Sequence, residues 1–267
     1  MPASPRDMLV GQRIAAQIVA VGQGRVQRVV MIGSRARGTP RPESDLDLVV
    51  LVELPAGSPP WGPSETIAER KRIQQQVPAP PVVADLWVRT TDRYAEARHV
   101  IGGVEILVDT EGVNLYSRPP ERAPVIRRTS DQVRRELVSA WVDHALSALD
   151  GTVAIESGRA PFPPVPGQPK TATEAARMCV ERATTALLVL HQIGAGKGCD
   201  LLPLIGQLSD ADRRRVADWF GAGQASETPS HRAHRVVTEL LTTLSKAHGM
   251  RPHLSPCWAR YKQIAVR

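Results

Sequence analysis

The most constraining feature of the chain is a pair of aspartates, Asp45 and Asp47, at the start of an apolar run that continues to Val50. A shorter apolar run, Val29–Ile32, comes before them and ends in a Gly-Ser pair. Successive side chains of a strand point to opposite faces, so the two carboxylates share one face of a strand. Neighbouring like charges are costly unless a cation neutralises them, and carboxylate oxygens beside phosphate suit Mg²⁺. The sequence therefore predicts a metal site beside a turn that binds phosphate.

The wider motif around this pair is more specific than either part alone. A Gly-Ser pair and a second glycine are followed, after a short loop, by a serine and both aspartates: Gly33, Ser34, Gly38, Ser44, Asp45 and Asp47. This arrangement resembles the minimal nucleotidyltransferases of the DNA polymerase β superfamily, whose motif is Gly-Ser-x-x-x-Gly, a variable loop, and Ser/Thr-Asp-x-Asp before an apolar strand. The alternative is a surface turn followed by an edge strand that carries solvated acids.

A third carboxylate is expected on a neighbouring strand. Asp85 lies inside the apolar, β-branched run Val82–Val88. A lone carboxylate is costly to bury, so this aspartate needs a partner such as a metal ion or the proton of an attacking hydroxyl. The stretch also resembles the strand that carries the third carboxylate in the same superfamily. Asp92 and Asp109 are weaker candidates because each stands beside turn-like residues.

The resemblance implies a role for each of these residues. Asp45, Asp47 and Asp85 are the catalytic carboxylates, and they hold two Mg²⁺ ions about 3.5–4 Å apart. The acceptor hydroxyl attacks the α-phosphate of a nucleoside triphosphate, and pyrophosphate leaves. Asp85 is either a metal ligand alone or also the base that deprotonates the acceptor. Nucleotide binding is assigned to Gly33, Ser34, Arg37 and Ser44. Arg35 is a further phosphate candidate because of its forked guanidinium group.

Apolar periodicity divides the chain near residue 120. Residues 1–118 alternate helices and strands and predict a small mixed-sheet domain, with strands at 27–33, 46–53, 81–89, 104–108 and 113–116. Residues 130–267 follow a linker rich in proline and arginine and carry apolar stripes at helical spacing. These stripes predict an all-α up-and-down bundle with helices at 131–149, 171–193, 201–208, 210–220 and 231–247. The predicted fold class is α+β, a nucleotidyltransferase domain followed by a helical bundle.

The helical half resembles the HEPN domains that accompany minimal nucleotidyltransferases, which implies an acceptor-binding domain. The resemblance rests on the helix Ala175–Ala183 and on Cys199-Asp200-Leu201, where many relatives have His-Asp-Leu. Some HEPN domains are ribonucleases that carry an arginine a few residues before a histidine. The sequence of the helical half lacks that spacing, so a ribonuclease is disfavoured. The proline-rich stretch at 157–170 predicts a long loop.

Composition limits the partners and the compartment. The net charge of +7 allows affinity for nucleotides or RNA, although the longest basic run is only Arg213–Arg215. Aromatic residues, at 4%, are too few for a stacking platform on single-stranded nucleic acid. Cys179, Cys199 and Cys257 fit neither a zinc site nor paired disulfides, which indicates reduced thiols in the cytoplasm. No apolar run is long enough for a membrane helix. An uncovered apolar stripe on the bundle would favour a homodimer.

Three functions fit these observations. The first is magnesium-dependent transfer of a nucleoside monophosphate to a hydroxyl of a protein or RNA, as in the toxin–antitoxin class that the Gly-Ser-Arg-Ala-Arg-Gly form resembles. The second is modification of a small molecule such as an aminoglycoside antibiotic, although basic residues outnumber acidic ones in the helical half and disfavour a polycation. The third is a non-catalytic, antitoxin-like nucleotide-binding module, against which the intact trio of aspartates argues.

Overall fold

The structure is a computed structural model of the chain, and it describes residues 3–41, 44–77, 83–159, 169–194, 201–221 and 227–250. The chain divides into two compact units, Met1–Ser130 and Asp131–Arg267. A four-stranded mixed sheet forms the centre of the first unit, and the described part of the second contains helices and connecting turns. This architecture confirms the predicted α+β class. None of the helices in the described ranges is both long and apolar enough to cross a membrane.

The first unit alternates helices with the strands of its sheet. The strands are β1 (Val26–Ile32), β2 (Leu46–Val52), β3 (Ala84–Thr90) and β4 (Val113–Ser117). The helices are α1 (Pro5–Val21), α2 (Gly33–Ala36), α3 (Pro63–Gln76), α4 (Thr91–Ala97) and α5 (Val104–Thr110). The Ser4 side chain caps α1 by accepting a hydrogen bond from the Asp7 amide, as expected for a serine just before a helix.

The order of the strands is β3-β2-β1-β4. β1 is antiparallel to both of its neighbours, whereas β2 and β3 run parallel. Helix α3 supplies the crossover that a parallel pair requires. In this register Asp47 lies opposite Asp85 on one side and opposite Ile32 on the other. Paired positions on neighbouring strands project from the same face, so the register sets the two aspartates side by side.

Both faces of the sheet are covered, and the alternation in β2 determines which residues each face receives. Leu46, Leu48 and Val50 pack in one core with apolar residues of α1 and α3. Val49 and Leu51 pack in a second core with residues of α4 and α5. This confirms that the leucines of the Asp-Leu-Asp-Leu run turn away from the aspartates. Asp47 therefore projects from the same face as Val49, at the end of that face where β2 begins.

The structure corrects one predicted strand, because residues 104–108 form part of helix α5. Its apolar residues recur at intervals of three and four and pack in one core: Val104, Leu107 and Val108. Glu105 is 1% exposed, and its carboxylate accepts a hydrogen bond from Arg89 at 2.6 Å. A short apolar run fits a strand and a helix equally well by pattern, and here this packing selects the helix.

The second unit contains five helices in its described residues: α6 (Ser130–Glu156), α7 (Ala172–Leu190), α8 (Leu201–Ile205), α9 (Asp210–Phe220) and α10 (Pro229–His248). α6 runs beyond its predicted end at residue 149, while α7 and α8 end earlier than predicted. Most of the predicted loop at 157–170 lies outside the described residues, as do Cys199 and Cys257.

One continuous apolar core unites α6, α7, α9 and α10. Trp219 is fully buried in it, and its indole N–H donates to a Glu239 carboxylate oxygen at 2.7 Å. Cys179 lies in the same core as a free thiol, and burial raises its pKa to about 12. Burial also lowers the pKa of His144, which favours the neutral imidazole. These groups therefore behave as packing residues.

Candidate active site

Three carboxylates meet at the edge where β2 and β3 begin. Asp45 directly precedes β2, Asp47 is the second residue of β2, and Asp85 is the second residue of β3. One oxygen from each of the three side chains lies within 4.8 Å of the others, and all three residues are half-buried. We call this group the carboxylate triad. The strand register places Asp85 beside Asp47, and Asp45 joins them from the residue before β2.

The triad fits a hard divalent cation. Its three donors are carboxylate oxygens, which Mg²⁺ prefers, and partial exposure leaves room for water or phosphate to complete an octahedral shell. Three like charges at this spacing repel one another, so a cation among them lowers the energy of the site. Part of that charge is already offset, because Arg70 of α3 donates to Asp85 Oδ1 at 2.8 Å.

Gly33 allows the turn after β1 to lie against the triad. Its φ of 78° is in the left-handed region that favours glycine. A Cβ at this position would lie 2.6 Å from Asp47 Oδ2, a distance at which one of the two atoms must move. The glycine therefore meets two requirements of the turn, one conformational and one steric. Ser34 follows it in α2, and its carbonyl accepts a hydrogen bond from the Thr39 amide at 2.9 Å.

Glu111 is a member of the site that the sequence analysis missed. It follows α5, and its Oε1 accepts a hydrogen bond from the Gly33 amide at 3.0 Å. Its Oε2 accepts a hydrogen bond from Arg37 at 2.6 Å. The Gly33 amide and Arg37, both predicted to bind the nucleotide, thus donate to the same carboxylate. The sequence carries no signal for this contact, since Glu111 is distant in sequence and follows a segment predicted as a strand.

Arg35 holds the loop that leads into β2, and its contact with phosphate stays a prediction. Its guanidinium donates to the Ser44 carbonyl at 2.6 Å and to the Asp45 carbonyl at 3.1 Å. It also forms an ion pair with Asp7 of α1. Burial alone would raise the pKa of Asp7, but the Ser4 hydroxyl and Arg35 outweigh it and hold that pKa below its ordinary value. Arg35 is therefore a positioning residue.

Ser44 closes the same loop from its other side. Its hydroxyl accepts a hydrogen bond from the Arg41 amide at 2.9 Å, and its own amide donates to the Arg41 carbonyl at 3.0 Å. These contacts make Ser44 the residue that turns the chain into β2. Its predicted role in nucleotide binding stays a prediction.

The two weaker candidates for the third carboxylate have other partners. Asp92 accepts hydrogen bonds from Arg122 at 2.8 Å and from the Val125 amide at 2.9 Å. These bonds outweigh burial, which acts in the opposite direction, and lower the pKa of Asp92. Asp109 accepts a hydrogen bond from the Tyr94 hydroxyl. Burial and this carboxylate together raise the pKa of Tyr94 to about 12. Both aspartates therefore have structural partners: Asp92 connects α4 to the segment after β4, and Asp109 connects α5 to α4.

Comparison with known proteins identifies the reaction class of the first unit. Residues 14–101 match the nucleotidyltransferase domain family, and this segment contains the whole carboxylate triad and the Gly33-Ser34 turn. The match covers less than half of the chain. No curated protein sequence matches. Residues 14–101 thus form a nucleotidyltransferase domain, which confirms the predicted class of enzyme and its transfer of a nucleoside monophosphate.

One solved structure with some similarity is that of spectinomycin adenyltransferase AAD(9) from Enterococcus faecialis with ATP and spectinomycin. It shares 12% sequence identity, with 89% of this chain and 99% of that chain covered, and the TM-score is 0.33. Similarity at this level does not establish a shared fold. We therefore infer nothing about the substrates of this chain from that enzyme.

Proposed function

We propose that the protein transfers a nucleoside monophosphate from a nucleoside triphosphate to an acceptor hydroxyl and requires Mg²⁺. The new bond joins the acceptor oxygen to the α-phosphorus, the bond from that phosphorus to the β-phosphate oxygen breaks, and pyrophosphate leaves. The observation that carries the proposal is the carboxylate triad, with its oxygens within 4.8 Å of one another beside the Gly33-Ser34 turn.

The three aspartates have distinct tasks in this scheme. Asp45 and Asp47 would hold the metal ions, and Asp85 would complete one of the two sites. When bound, such ions withdraw charge from the phosphate and make the acceptor hydroxyl more acidic. Asp85 lies at the edge of the sheet where the metal ions would bind the acceptor, so it is also placed to take the proton of that hydroxyl. Its Oδ1 accepts a hydrogen bond from Arg70 at 2.8 Å, which orients the carboxylate at this edge.

The phosphates would lie against the turn after β1. The Ser34 hydroxyl and the amides near Gly33 are the donors at this position. Glu111 already accepts from the Gly33 amide and from Arg37, so a triphosphate would have to replace its carboxylate at both donors. Phosphate oxygens and carboxylate oxygens prefer the same donors, which makes this exchange chemically matched.

The acceptor is proposed to be a hydroxyl of a protein or an RNA, with the HEPN-like second unit as the domain that binds it. Two acidic residues that could contribute to a pocket for a polycationic drug lie in the described part of that unit. Glu174 caps α7 by accepting from the Lys170 and Thr171 amides, and Glu181 is paired with Arg177 at 3.0 Å. Both carboxylates therefore have structural partners.

A direct test measures pyrophosphate release by the full chain with each of the four ribonucleoside triphosphates, Mg²⁺ and a cell lysate. Asp45→Asn, Asp47→Asn and Asp85→Asn keep the shape of the side chain and remove its charge. Each should lower the rate by about 100-fold or more, since charge stabilisation at the phosphate is lost. Asp109→Asn is the matched control, because this half-exposed aspartate of the same unit lies outside the triad.

Two further treatments identify the acceptor and the role of Asp85. The reaction is repeated with a triphosphate that carries a label on its α-phosphate. Digestion of the lysate with protease, digestion with nuclease, or removal of its small molecules by filtration then shows which class of acceptor takes the label. If Asp85 is the base as well as a metal ligand, kcat of Asp85→Asn should stay low at saturating Mg²⁺, whereas excess Mg²⁺ should restore kcat if Asp85 is a ligand alone. Full activity in both Asp45→Asn and Asp47→Asn would overturn the proposed site.

A further inference from the structure

A second group of ligand-type side chains lies in the helical unit, where the sequence analysis expected no metal. A donor atom from each of His191, Asp212 and His248 lies within 4.8 Å of the others. We propose that these three residues, here called the imidazole cluster, bind a transition-metal ion of the Zn²⁺ type. The proposal is independent of the nucleotidyl transfer proposed above.

Three helices that are distant in sequence contribute to the imidazole cluster. His191 directly follows α7, Asp212 lies in the first turn of α9, and His248 is the last residue of α10. His191 Nε2 lies 2.9 Å from Asp212 Oδ2. The two imidazole rings meet edge to face, with their centroids 5.4 Å apart and their planes at 83°. Apolar packing of the helices explains why these elements meet, but it does not require three ligands at one point.

Asp212 is held in an orientation that suits a metal ligand. It is 5% exposed, which is unusual for a carboxylate unless cationic or hydrogen-bonding groups surround it. Its Oδ1 accepts from Arg215, while its Oδ2 accepts from the Ser209 hydroxyl at 3.1 Å and faces His191. Outer contacts of this kind orient a metal-binding carboxylate and fix which oxygen it presents.

The donor set selects a different metal from that of the carboxylate triad. Two imidazole nitrogens and one carboxylate oxygen are typical of Zn²⁺ sites that keep a fourth position for water, whereas three carboxylates suit Mg²⁺. Arg215 is the cationic group nearest to the carboxylate, and its charge lowers the affinity for a cation. We therefore expect a site of moderate affinity that ties the ends of α7, α9 and α10 together.

The test measures uptake of Zn²⁺ and Co²⁺ by the full, untagged chain without nucleotide. The background carries Cys199→Ser, Cys257→Ser, Asp45→Asn and Asp47→Asn, so that neither these two thiolates nor the carboxylate triad contributes a metal site. The chain is dialysed against a chelator, loaded with metal and analysed by elemental analysis, and the Co²⁺ form is followed by visible absorption. We expect one bound ion per chain and a visible band typical of four-coordinate Co²⁺.

His248→Phe is the sharpest variant, since it keeps an aromatic ring against His191 and leaves the bond between His191 and Asp212 in place. It should weaken Zn²⁺ binding by about 10-fold or more and abolish the Co²⁺ band, since removing even an outer partner of a metal ligand costs 10–100-fold. His191→Ala should do the same. His231→Ala, at an exposed histidine of α10, is the control and should bind like the background chain.

Two results would overturn the proposal. One is that the background chain binds neither Zn²⁺ nor Co²⁺. The other is that His248→Phe, shown to be folded by circular dichroism, binds as tightly as the His231→Ala control. Either result would leave the imidazole cluster as a hydrogen-bonded contact between helices. Neither would affect the nucleotidyl transfer proposed above, which is measured with Mg²⁺ and nucleotide.

Discussion

The carboxylate triad and the imidazole cluster each bring three ligand-type side chains within 4.8 Å, but the fold holds them in different ways. The triad lies on paired strands, where hydrogen-bonded register sets the spacing of Asp47 and Asp85. The imidazole cluster lies at the ends of three helices, where packing sets the spacing. The backbone hydrogen bonds of the sheet therefore fix the positions of the triad residues. The positions of the imidazole cluster residues depend instead on how the three helices pack. The expected consequence is that small backbone changes harm the triad most.

Among changes outside the three aspartates, the largest effect on the triad is expected from Gly33→Ala. The added Cβ would meet Asp47 Oδ2 at 2.6 Å and would also disfavour the φ of 78°. Displacement of the carboxylate should lower the rate of pyrophosphate release by about 100-fold. Gly57→Ala is the matched control, because Gly57 has a φ of 79° and a Cβ added there would meet no atom within 4 Å. It should cost similar stability and leave the rate unchanged. Equal activity in the two variants would show that the close approach to Asp47 is unimportant.

A smaller effect is expected from Arg35→Gln, which loosens the loop before β2. The variant loses the bonds to the Ser44 and Asp45 carbonyls, so the triad should be less ordered. We expect kcat to fall by about 10-fold while the KM for the triphosphate changes little. Arg72→Gln removes a comparable set of bonds, to Glu69 and to the Val21 carbonyl, at a distance from the triad. A similar loss of kcat in both variants would indicate a general loss of stability and not a positioning role.

Glu111→Gln should act in the opposite direction. The amide oxygen can still accept from Gly33, but the negative charge that competes with phosphate is gone. Binding of a non-hydrolysable triphosphate should tighten by about 5-fold, which corresponds to roughly 1 kcal/mol. Calorimetric titration measures this change. Weaker binding of the triphosphate in the variant would show that Glu111 stabilises the turn and does not compete with phosphate for its donors.

The smallest expected effect is a loss of stability at low pH. Because the folded-state pKa of Asp7 lies below its ordinary value, the unfolded chain binds more protons as the pH falls. The stability contributed by the pair of Asp7 and Arg35 is therefore complete at neutral pH and is lost from about pH 5 downward. Hydrogen exchange followed by mass spectrometry should show α1 losing protection in that range. Asp7→Asn should make this loss shallower, while Glu121→Gln, at an exposed carboxylate, should not.

The parts of the fold that depend on local patterns could be predicted from the sequence. Alternation in β2 indicated the shared side of Asp45 and Asp47, and an isolated acid in an apolar run pointed to Asp85. The error at α5 arose because a run as short as 104–108 fits two periodicities until packing selects one.

Contacts between distant segments left no such pattern. The Glu111 carboxylate reaches Gly33 across 78 residues of sequence, and the imidazole cluster joins the ends of separate helices. Arg35 was expected at phosphate because a guanidinium beside a Gly-Ser turn fits that role. In the structure its donors instead meet backbone carbonyls and Asp7, which only the folded positions of α1 and the loop reveal.

The most direct measurement is anomalous diffraction from crystals soaked with Mn²⁺, as a stand-in for Mg²⁺, and a non-hydrolysable triphosphate. We predict anomalous peaks bound by Asp45, Asp47 and Asp85, with the α-phosphate between them and the Gly33-Ser34 turn at the terminal phosphates. Mn²⁺ bound elsewhere, with the three carboxylates turned apart and the triphosphate away from the turn, would contradict this assignment.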